Sequence, residues 1–209
     1  MQQRGAVSVA KLFLASSNPG KLREYLELAR GSGVAIELLP RFGEFPAFEE
    51  SAPTFAENSA GKALHYSRFT DEAVLADDSG LVVPALGGAP GVHSARYAGP
   101  GASDADRVEK LLGEMRGKVG LERHARFVCV TAVAQAGRAM AVVSDLAQGV
   151  ITEAPRGAGG FGYDPVFLFA ELGRTYAEFT PEEKNAYSHR GKSFRKLLYV
   201  ISPNNSVPS

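Results

Sequence analysis

Apolar residues recur along this chain at two spacings, one typical of helices and one typical of strands. Apolar side chains at i, i+3, i+4 and i+7 predict helices, and short apolar runs bounded by turn-forming residues predict strands. Helices are expected over about 22–29, 54–69 and 103–115, from 180 and from about 188, and strands at 11–15, 73–76, 126–134, 138–144 and 166–169. Strands and helices alternate early, and a hairpin turn is expected at 135–137. This order predicts an α/β fold with a mixed central sheet and flanking helices.

The composition narrows the class of protein. The 209 residues suit one domain, expected over 11–201 between a loose leader (1–10) and a tail (202–209). Lys plus Arg and Asp plus Glu both number 23, and this zero balance argues against a nucleic-acid polymer as partner. We find no signal-peptide pattern and no apolar run near the roughly 18 residues of a membrane span. The single cysteine, Cys129, lies in an apolar run and is expected to be a buried thiol in a reducing compartment. Together these observations predict a cytoplasmic protein with no membrane partner.

Two adjacent carboxylates, Asp77 and Asp78, directly follow an apolar run and precede a Ser-Gly step. Like charges side by side are unfavourable unless a cation neutralises them, and carboxylate oxygens suit a divalent metal. The pair therefore predicts a metal site with an activated water. The alternative is an ordinary turn, because Asp, Ser and Gly all favour turns. Glu50 is either a further metal carboxylate or part of a surface acidic pair.

The segment Ser16–Lys21 joins a predicted strand to a predicted helix. Free backbone N–H groups at a helix N-terminus attract anions, and Lys21 adds a full positive charge. The segment is not a Walker A loop, since Leu22 stands where that motif has Ser or Thr. It predicts either phosphate binding or a plain strand-to-helix turn.

A glycine-rich run at 157–162 has the G-x-G-x-x-G spacing, but it leads into an apolar strand. The dinucleotide fingerprint has to open a helix, so that role is rejected. Glycines allow close backbone approach, and with Phe161 or Tyr163 available for stacking they suit a flat ligand. The alternative is a flexible loop.

Basic side chains gather where the last helix is expected to begin, at His189, Arg190 and Lys192. Helix N-termini usually prefer acids, so helix stability does not explain these residues. An anionic or carbonyl-rich ligand would explain them, together with Lys184 on the preceding helix. The alternative is a solvated basic face.

Taken together, these segments resemble the non-canonical purine nucleoside triphosphate pyrophosphatases, which include the inosine and xanthosine triphosphatases. The matching segments keep the family's order over about 11–200: Ser17–Lys21, Thr54–Asn58 with Lys62, Ala76–Leu81, Leu86–Tyr97, Gly159–Pro165 and Ser188–Gly191. The resemblance implies a two-lobed α/β fold with the ligand in the cleft, and usually a homodimer. It also implies Mg²⁺-dependent hydrolysis of ITP, dITP and XTP to the monophosphate and pyrophosphate, which cleanses the nucleotide pool.

The resemblance further implies roles for individual residues. Asp78 is expected to activate water, Lys62 to serve catalysis by holding phosphate, and Glu50, Asp77 and Asp78 to lie at the metal. Phosphate contacts are expected from Ser16, Ser17, Asn18, Pro19, Gly20, Lys21 and Lys184. Nucleoside contacts are expected from Ser79, Phe161, Gly162, Tyr163, Asp164, His189 and Arg190.

Two other functions stay open. A related pyrophosphatase for modified pyrimidine or methylated nucleotides would share the scaffold, and a nucleotide-sensing module would keep the pocket without turnover. A panel of nucleoside triphosphates separates these possibilities. Only the purine enzyme predicts a strong preference for ITP and XTP.

Overall fold

The computed structural model describes residues 11–201. Its strands are β1 (Lys11–Leu14), β2 (Ala35–Leu38), β3 (Val74–Val82), β4 (His124–Gln135), β5 (Arg138–Ile151), β6 (Phe167–Phe169) and β7 (Arg174–Thr175). Its α-helices are α1 (Pro19–Ala29), α2 (Phe55–Tyr66), α3 (Asp104–Glu114), α4 (Pro181–Tyr187) and α5 (His189–Ile201). The strands form one sheet in the order β2-β1-β3-β4-β5-β6-β7. The predicted mixed sheet with flanking helices is confirmed, whereas the predicted leader and tail lie outside the described residues.

The parallel part of the sheet consists of β2, β1 and β3. The sequence analysis did not predict β2. This strand has four residues, and only Ile36 among them is buried, so its apolar pattern is too short to stand out. Its place is fixed by pairing with β1, a long-range contact that a local pattern does not carry.

Helices α1 and α2 cover opposite faces of the parallel strands. Leu75 of β3 lies in one core cluster with Tyr25 of α1 and Phe194 of α5. Ala76, the next residue of β3, lies in another cluster with Ala63 of α2. Successive side chains of a strand point to opposite faces, so this alternation divides the first residues of β3 between the two helices, whereas Leu81 lies in the core of the second unit.

The antiparallel part includes the predicted hairpin between β4 and β5. Ala136 and Gly137 both have positive φ, as a two-residue type I′ turn requires. β5 continues to Ile151, seven residues beyond its predicted end, and there pairs with β6. Helix α2 ends at Tyr66, three residues before its predicted end.

The largest difference from the sequence-based expectation concerns β3. We expected the strand to end at Ala76 with Asp77 and Asp78 in a turn, but the strand continues to Val82. Both carboxylates are buried inside the strand. Neighbouring elements offset the two carboxylates in part, through the Lys21 ammonium beside Asp77 and the Asn58 amide on Asp78.

The described residues form two compact units. The first unit comprises 11–78, 130–144 and 192–201, and its core consists of the two clusters on either side of the parallel strands. The second unit comprises 79–129 and 145–191, and its core gathers around Phe167 and Tyr176. Among residues 11–201, no helix has the length and apolar character needed to cross a membrane.

Removal of the Phe194 ring should destabilise the first unit. The ring is fully buried and meets Tyr25 edge-on at 5.7 Å between centroids. Phe194→Ala is expected to lower the free energy of unfolding by about 3–5 kcal/mol, because it removes buried apolar surface and leaves a cavity. Val200→Ala, on the exposed face of the same helix, should change it by no more than about 0.5 kcal/mol. Urea unfolding of both variants measures the difference, and equal effects would contradict this packing.

Candidate active site

The carboxyl end of β1 lies beside the first residues of β3, since the backbone N–H of Ala15 donates to the carbonyl of Leu75 at 2.8 Å. From β1 the chain passes through α1 to β2 on one side, and then through α2 to β3 on the other. The strand order therefore reverses between β1 and β3. Open α/β sheets bind their ligands outside the carboxyl ends of the strands at such a switch point. The segment Ser16–Lys21 and the pair Asp77–Asp78 both lie at this position.

The segment after β1 is an ordered helix cap. Asn18 Oδ1 accepts the backbone N–H groups of Gly20 at 2.8 Å and Lys21 at 3.2 Å, and the Asn18 N–H donates to Ser16 Oγ at 3.2 Å. Ser17 and Pro19 are exposed, and the loop forms one wall of a groove of about 500 Å³. The opposite wall comes from 38–42. The cap holds the helix N-terminus open to this groove, a geometry suited to an anion.

Asp77 and Asp78 point to opposite faces of β3. Lys21 Nζ lies 3.1 Å from Asp77 Oδ1 on the α1 face, whereas Asn58 Nδ2 donates to Asp78 Oδ2 at 3.0 Å on the α2 face. The two carboxylates are therefore not a matched pair of ligands aimed at one point. Asp77 fixes the position of the Lys21 ammonium, and Asp78 is the acid with a polar cluster on its own side.

Burial raises the pKa of Asp78 above its ordinary value, and the negative charge of Glu50 acts in the same direction. The ammonium of Lys21, the hydrogen bond from Asn58 and the ammonium of Lys62 oppose this shift without cancelling it. A carboxylate held in this way is costly to ionise in the empty protein. It gains from a bound cation or from taking up a proton.

Glu50 lies on the segment before α2 and forms an ion pair with Lys62 of that helix. Three side chains of α2 hold this segment against the helix. Asn58 exchanges two hydrogen bonds with the backbone of Ala52, at 3.0 and 3.2 Å. The hydroxyl of Tyr66 accepts the Phe48 N–H at 3.2 Å, and the His65 ring contacts the Pro46 carbonyl at 2.7 Å through Nε2.

Gly61 explains how the Phe48 ring lies so close to the helix. A Cβ at position 61 would stand 2.6 Å from Phe48 Cζ, well inside contact distance. Glycine in the middle of a helix is unfavourable by about 1 kcal/mol relative to alanine. Glycine at position 61 therefore lowers the helix propensity of α2 but lets the Phe48 ring, on the segment that carries Glu50, pack against the helix.

The sequence analysis placed Asn58 on one helix face with Lys62 but gave it no role. The structure shows its amide joining the Ala52 backbone to the Asp78 carboxylate, with the side chain almost fully buried. The local signal was a polar amide at a buried helical position. Its partners are distant in sequence, so the pattern alone did not reveal what it holds.

The donors on the α2 face suit Mg²⁺. Residues 11–201 contain no group of three or more His, Cys, Asp or Glu side chains gathered as a closed metal site. Mg²⁺ is commonly bound by one or two carboxylates, together with waters and substrate phosphates. Asp78, with its raised pKa, and Glu50, whose charge reaches it, match this open arrangement.

The second unit contains a separate cluster around Phe161. Asp164 Oδ2 accepts the Phe161 N–H at 2.8 Å and forms a buried ion pair with Lys184. The Lys184 ammonium also lies 4.8 Å from the centre of the Phe161 ring. Gly160 has φ +73°, and a Cβ there would meet the Asp164 carboxylate at 2.0 Å. Asp164 and Lys184 thus fix the turn that carries Phe161.

Arg190 and His189 are buried at the start of α5 and are not part of a solvated basic face. Arg190 Nη2 donates to Ser79 Oγ at 2.8 Å, and the guanidinium lies 5.7 Å from the centre of the Phe161 ring. The His189 ring stacks on Phe127 at 4.6 Å and 9°. The structure therefore brings Ser79, Phe161 and Arg190 together.

Of the two aromatic candidates for stacking, only Phe161 is accessible. Tyr163 is 3% exposed, belongs to the core of the second unit and donates its hydroxyl to the Ser94 carbonyl at 2.9 Å. Its ring is therefore unavailable to a ligand. Phe161 is partly exposed, and its ring has cationic groups near it.

The chain belongs to the Ham1 family, whose model matches residues 12–200. It is 52% identical to the dITP/XTP pyrophosphatase of Geobacillus kaustophilus over 187 residues, which cover 90% of this chain and 92% of that one. It is 49% identical to the dITP/XTP pyrophosphatase of Gloeobacter violaceus over 187 residues, which again cover 90% of this chain and 92% of that one. A solved Ham1 protein of Coxiella burnetii superposes with a TM-score of 0.80 at 41% identity, covering 91% of this chain and 98% of that one. These matches confirm the resemblance found in the motifs.

The raised pKa of Asp78 predicts a pH-dependent effect of Asp78→Asn on stability without metal. In acid, below the ordinary pKa, Asp78 is protonated in both folded and unfolded chains and costs nothing. As the pH rises, Asp78 ionises readily in the unfolded chain, but in the folded chain burial opposes its ionisation. The wild type therefore loses stability relative to the neutral variant until the pH has passed the folded pKa. We expect the stability gain of Asp78→Asn to grow with pH and then level off.

Urea unfolding in chelator across about pH 4 to pH 8 measures this gain. Asp71→Asn, at an exposed position just before β3, is the matched control and should show no such trend. A gain for Asp78→Asn that is constant across the range would contradict the account of the buried carboxylate.

Proposed function

We propose that this protein hydrolyses the non-canonical purine nucleoside triphosphates ITP, dITP and XTP to the monophosphate and pyrophosphate, with Mg²⁺. This activity would cleanse the nucleotide pool. The observation that carries the proposal is the switch-point cluster, in which a buried acid with a raised pKa lies among lysines beside an anion-binding helix cap. The names of the relatives, dITP/XTP pyrophosphatases, give the substrate class.

The groups proposed to bind the phosphates lie in the first unit. Ser16–Lys21 offers the open helix N-terminus, and the ammonium groups of Lys21 and Lys62 offset negative charge. Asp78 and Glu50 would hold Mg²⁺, and Asp77 would act by fixing Lys21. The metal, when bound, supplies charge neutralisation for the departing pyrophosphate.

Asp78 is the proposed general base for the attacking water. A catalytic base works best when its pKa lies near the working pH, and burial moves the pKa of Asp78 in that direction. Asn58 donates to one carboxylate oxygen and so fixes the side chain. The water oxygen attacks the α-phosphorus, its proton passes to Asp78, and the bond from the α-phosphorus to the bridging oxygen breaks.

The nucleoside side falls to the second unit. Phe161 offers a partly exposed ring for stacking on the base, and Arg190 and Ser79 are polar groups beside it. A donor aimed at the 6-oxo group would be left unpaired against the amino group of adenine. Arg190 and the N–H groups of the loop are the candidate donors. Lys184, which was expected to contact phosphate, pairs with Asp164, and we propose that both residues act on the nucleoside through the position of Phe161.

The remaining features of the proposal concern organisation and setting. We propose that 11–201 act as one two-lobed catalytic domain, in a cytoplasmic protein that forms a homodimer. Val142 and Leu146 of β5, 48% and 36% exposed, lie on one face of the strand and offer apolar surface for a second copy. Sedimentation equilibrium tests the dimer, and a monomer at all concentrations would overturn it.

The decisive experiment measures products from ITP, XTP, ATP and modified pyrimidine triphosphates with Mg²⁺. Pyrophosphate and IMP from ITP, with ATP nearly untouched, are the expected result. Preferential cleavage of a modified pyrimidine nucleotide would favour the related pyrophosphatase. ITP binding without any product would favour the sensing module.

Asp78→Asn should lose turnover of ITP by at least about 10²-fold, the scale of a lost general base. The variant is expected to remain folded, because the amide is nearly isosteric with the carboxylate. Steady-state release of pyrophosphate measures the loss, with Asp71→Asn as the exposed control. Turnover close to that of the wild type would remove Asp78 from the mechanism.

Phe161→Ala should raise KM for ITP by about tenfold, since base–aromatic stacking is worth about 1–3 kcal/mol. The Mg²⁺ concentration for half-maximal activity should stay the same, because the metal ligands lie on the first unit. Phe161→Tyr keeps the ring and is expected to retain a KM near that of the wild type. If the alanine and tyrosine variants share one KM, stacking on this ring is refuted.

A further inference from the structure

The turn that carries Phe161 has a second anchor, on α3, that the sequence analysis did not single out. The backbone N–H of Gly162 donates to Asp104 Oδ2 at 2.7 Å. Gly162 has φ +63° and follows Phe161 directly, so this bond fixes the peptide that leaves the ring. An N–H bond to an ionised carboxylate is stronger than one to a neutral acceptor.

Asp104 is itself held in place by Arg107. The guanidinium pairs with Asp104 Oδ1 and donates through Nη1 to the carbonyls of Ala95 at 3.0 Å and Ala102 at 2.6 Å. Each oxygen of Asp104 therefore has a different partner, one on α3 and one on the turn. The carboxylate cannot move without giving up one of these partners.

The same network explains a motif to which the proposed reaction gives no task. Leu86–Tyr97 carries Ser94, whose carbonyl accepts the Tyr163 hydroxyl at 2.9 Å and whose Oγ accepts the Leu81 N–H at 2.9 Å. The Ala95 carbonyl of the same segment accepts a hydrogen bond from Arg107. The segment therefore supports the Phe161 turn through two residues, Tyr163 and Arg107. Its contribution is structural support, delivered to one short turn.

We propose that Asp104 is a positioning residue for nucleoside binding, acting through the Gly162 N–H to set the place of the Phe161 ring. Asp164 holds the peptide before the ring, at the Phe161 N–H, and Asp104 holds the peptide after it. The ring is thereby ordered before the base arrives, which lowers the ordering entropy lost on binding. The inference rests on the proposed function, since the ligand is the nucleoside of that reaction.

Loss of the Asp104 carboxylate should act on binding and spare the chemical step. Asp104→Ala is expected to raise KM for ITP by about three- to tenfold, the scale of one ordinary intramolecular hydrogen bond, with kcat within about twofold. Asp104→Asn keeps one side-chain acceptor, for which the Gly162 N–H and the Arg107 guanidinium compete, and should recover part of the effect. Glu109→Gln, an exposed charge change on the same helix, should behave as the wild type.

Amide exchange at Gly162, followed by NMR on the protein without nucleotide, reads the anchor directly. We expect at least about fivefold faster exchange in Asp104→Ala than in Glu109→Gln, with the core amides of β4 unchanged. This readout does not depend on any activity. It therefore tests the anchor even if the wild type fails to cleave ITP, a failure that would count against the proposed function alone.

The two measurements together decide the inference. Faster Gly162 exchange, with a raised KM and a steady kcat, supports Asp104 as a positioning residue. Unchanged exchange refutes the anchor. Faster exchange with an unchanged KM refutes its role in binding.

Discussion

Burial of the Asp78 carboxylate is the constraint on which the rest of the switch point depends. An ionised side chain inside a strand is unfavourable unless charges and hydrogen bonds compensate it, and its neighbours supply them only in part. The Asn58 amide and the ammonium groups of Lys21 and Lys62 lower the pKa, while burial and Glu50 keep it raised. The site is left short of positive charge, and under the proposed function a substrate that arrives with Mg²⁺ would supply it.

The same physical device recurs in both units. In the first, Asn58 joins the segment of Glu50 to the strand of Asp78, and Gly61 lets the Phe48 ring lie against α2. In the second, two carboxylates hold the peptides on either side of Phe161, each in turn paired with a cation. The groups proposed to meet substrate are thus held by polar contacts, some from residues close in sequence, such as Asp164, and some from distant ones, such as Asn58 and Asp104. Pre-ordering of this kind reduces the entropy that binding must overcome.

Local patterns predicted most elements because their signals are local: apolar spacing for the helices, and a Gly-containing turn for the β4–β5 hairpin. The motifs also led to the family. Several features were not predicted, and two of them concern β3. β3 runs through Asp77 and Asp78 because contacts from α1 and α2 offset their charges in part, and the sequence of such a strand looks like that of a turn. The opposite orientation of the two carboxylates follows from the alternation of side chains along that strand. It could not be predicted once the strand was expected to end at Ala76.

Hydrolysis of ITP in oxygen-18-labelled water tests the central claim most directly, because it reports which phosphorus the water attacks. The account assigns the water to the α-phosphorus, with Asp78 as its base, so the label should appear in IMP and the released pyrophosphate should be unlabelled. Mass spectrometry of the two products decides the matter. Label in the pyrophosphate, with none in IMP, would contradict the account.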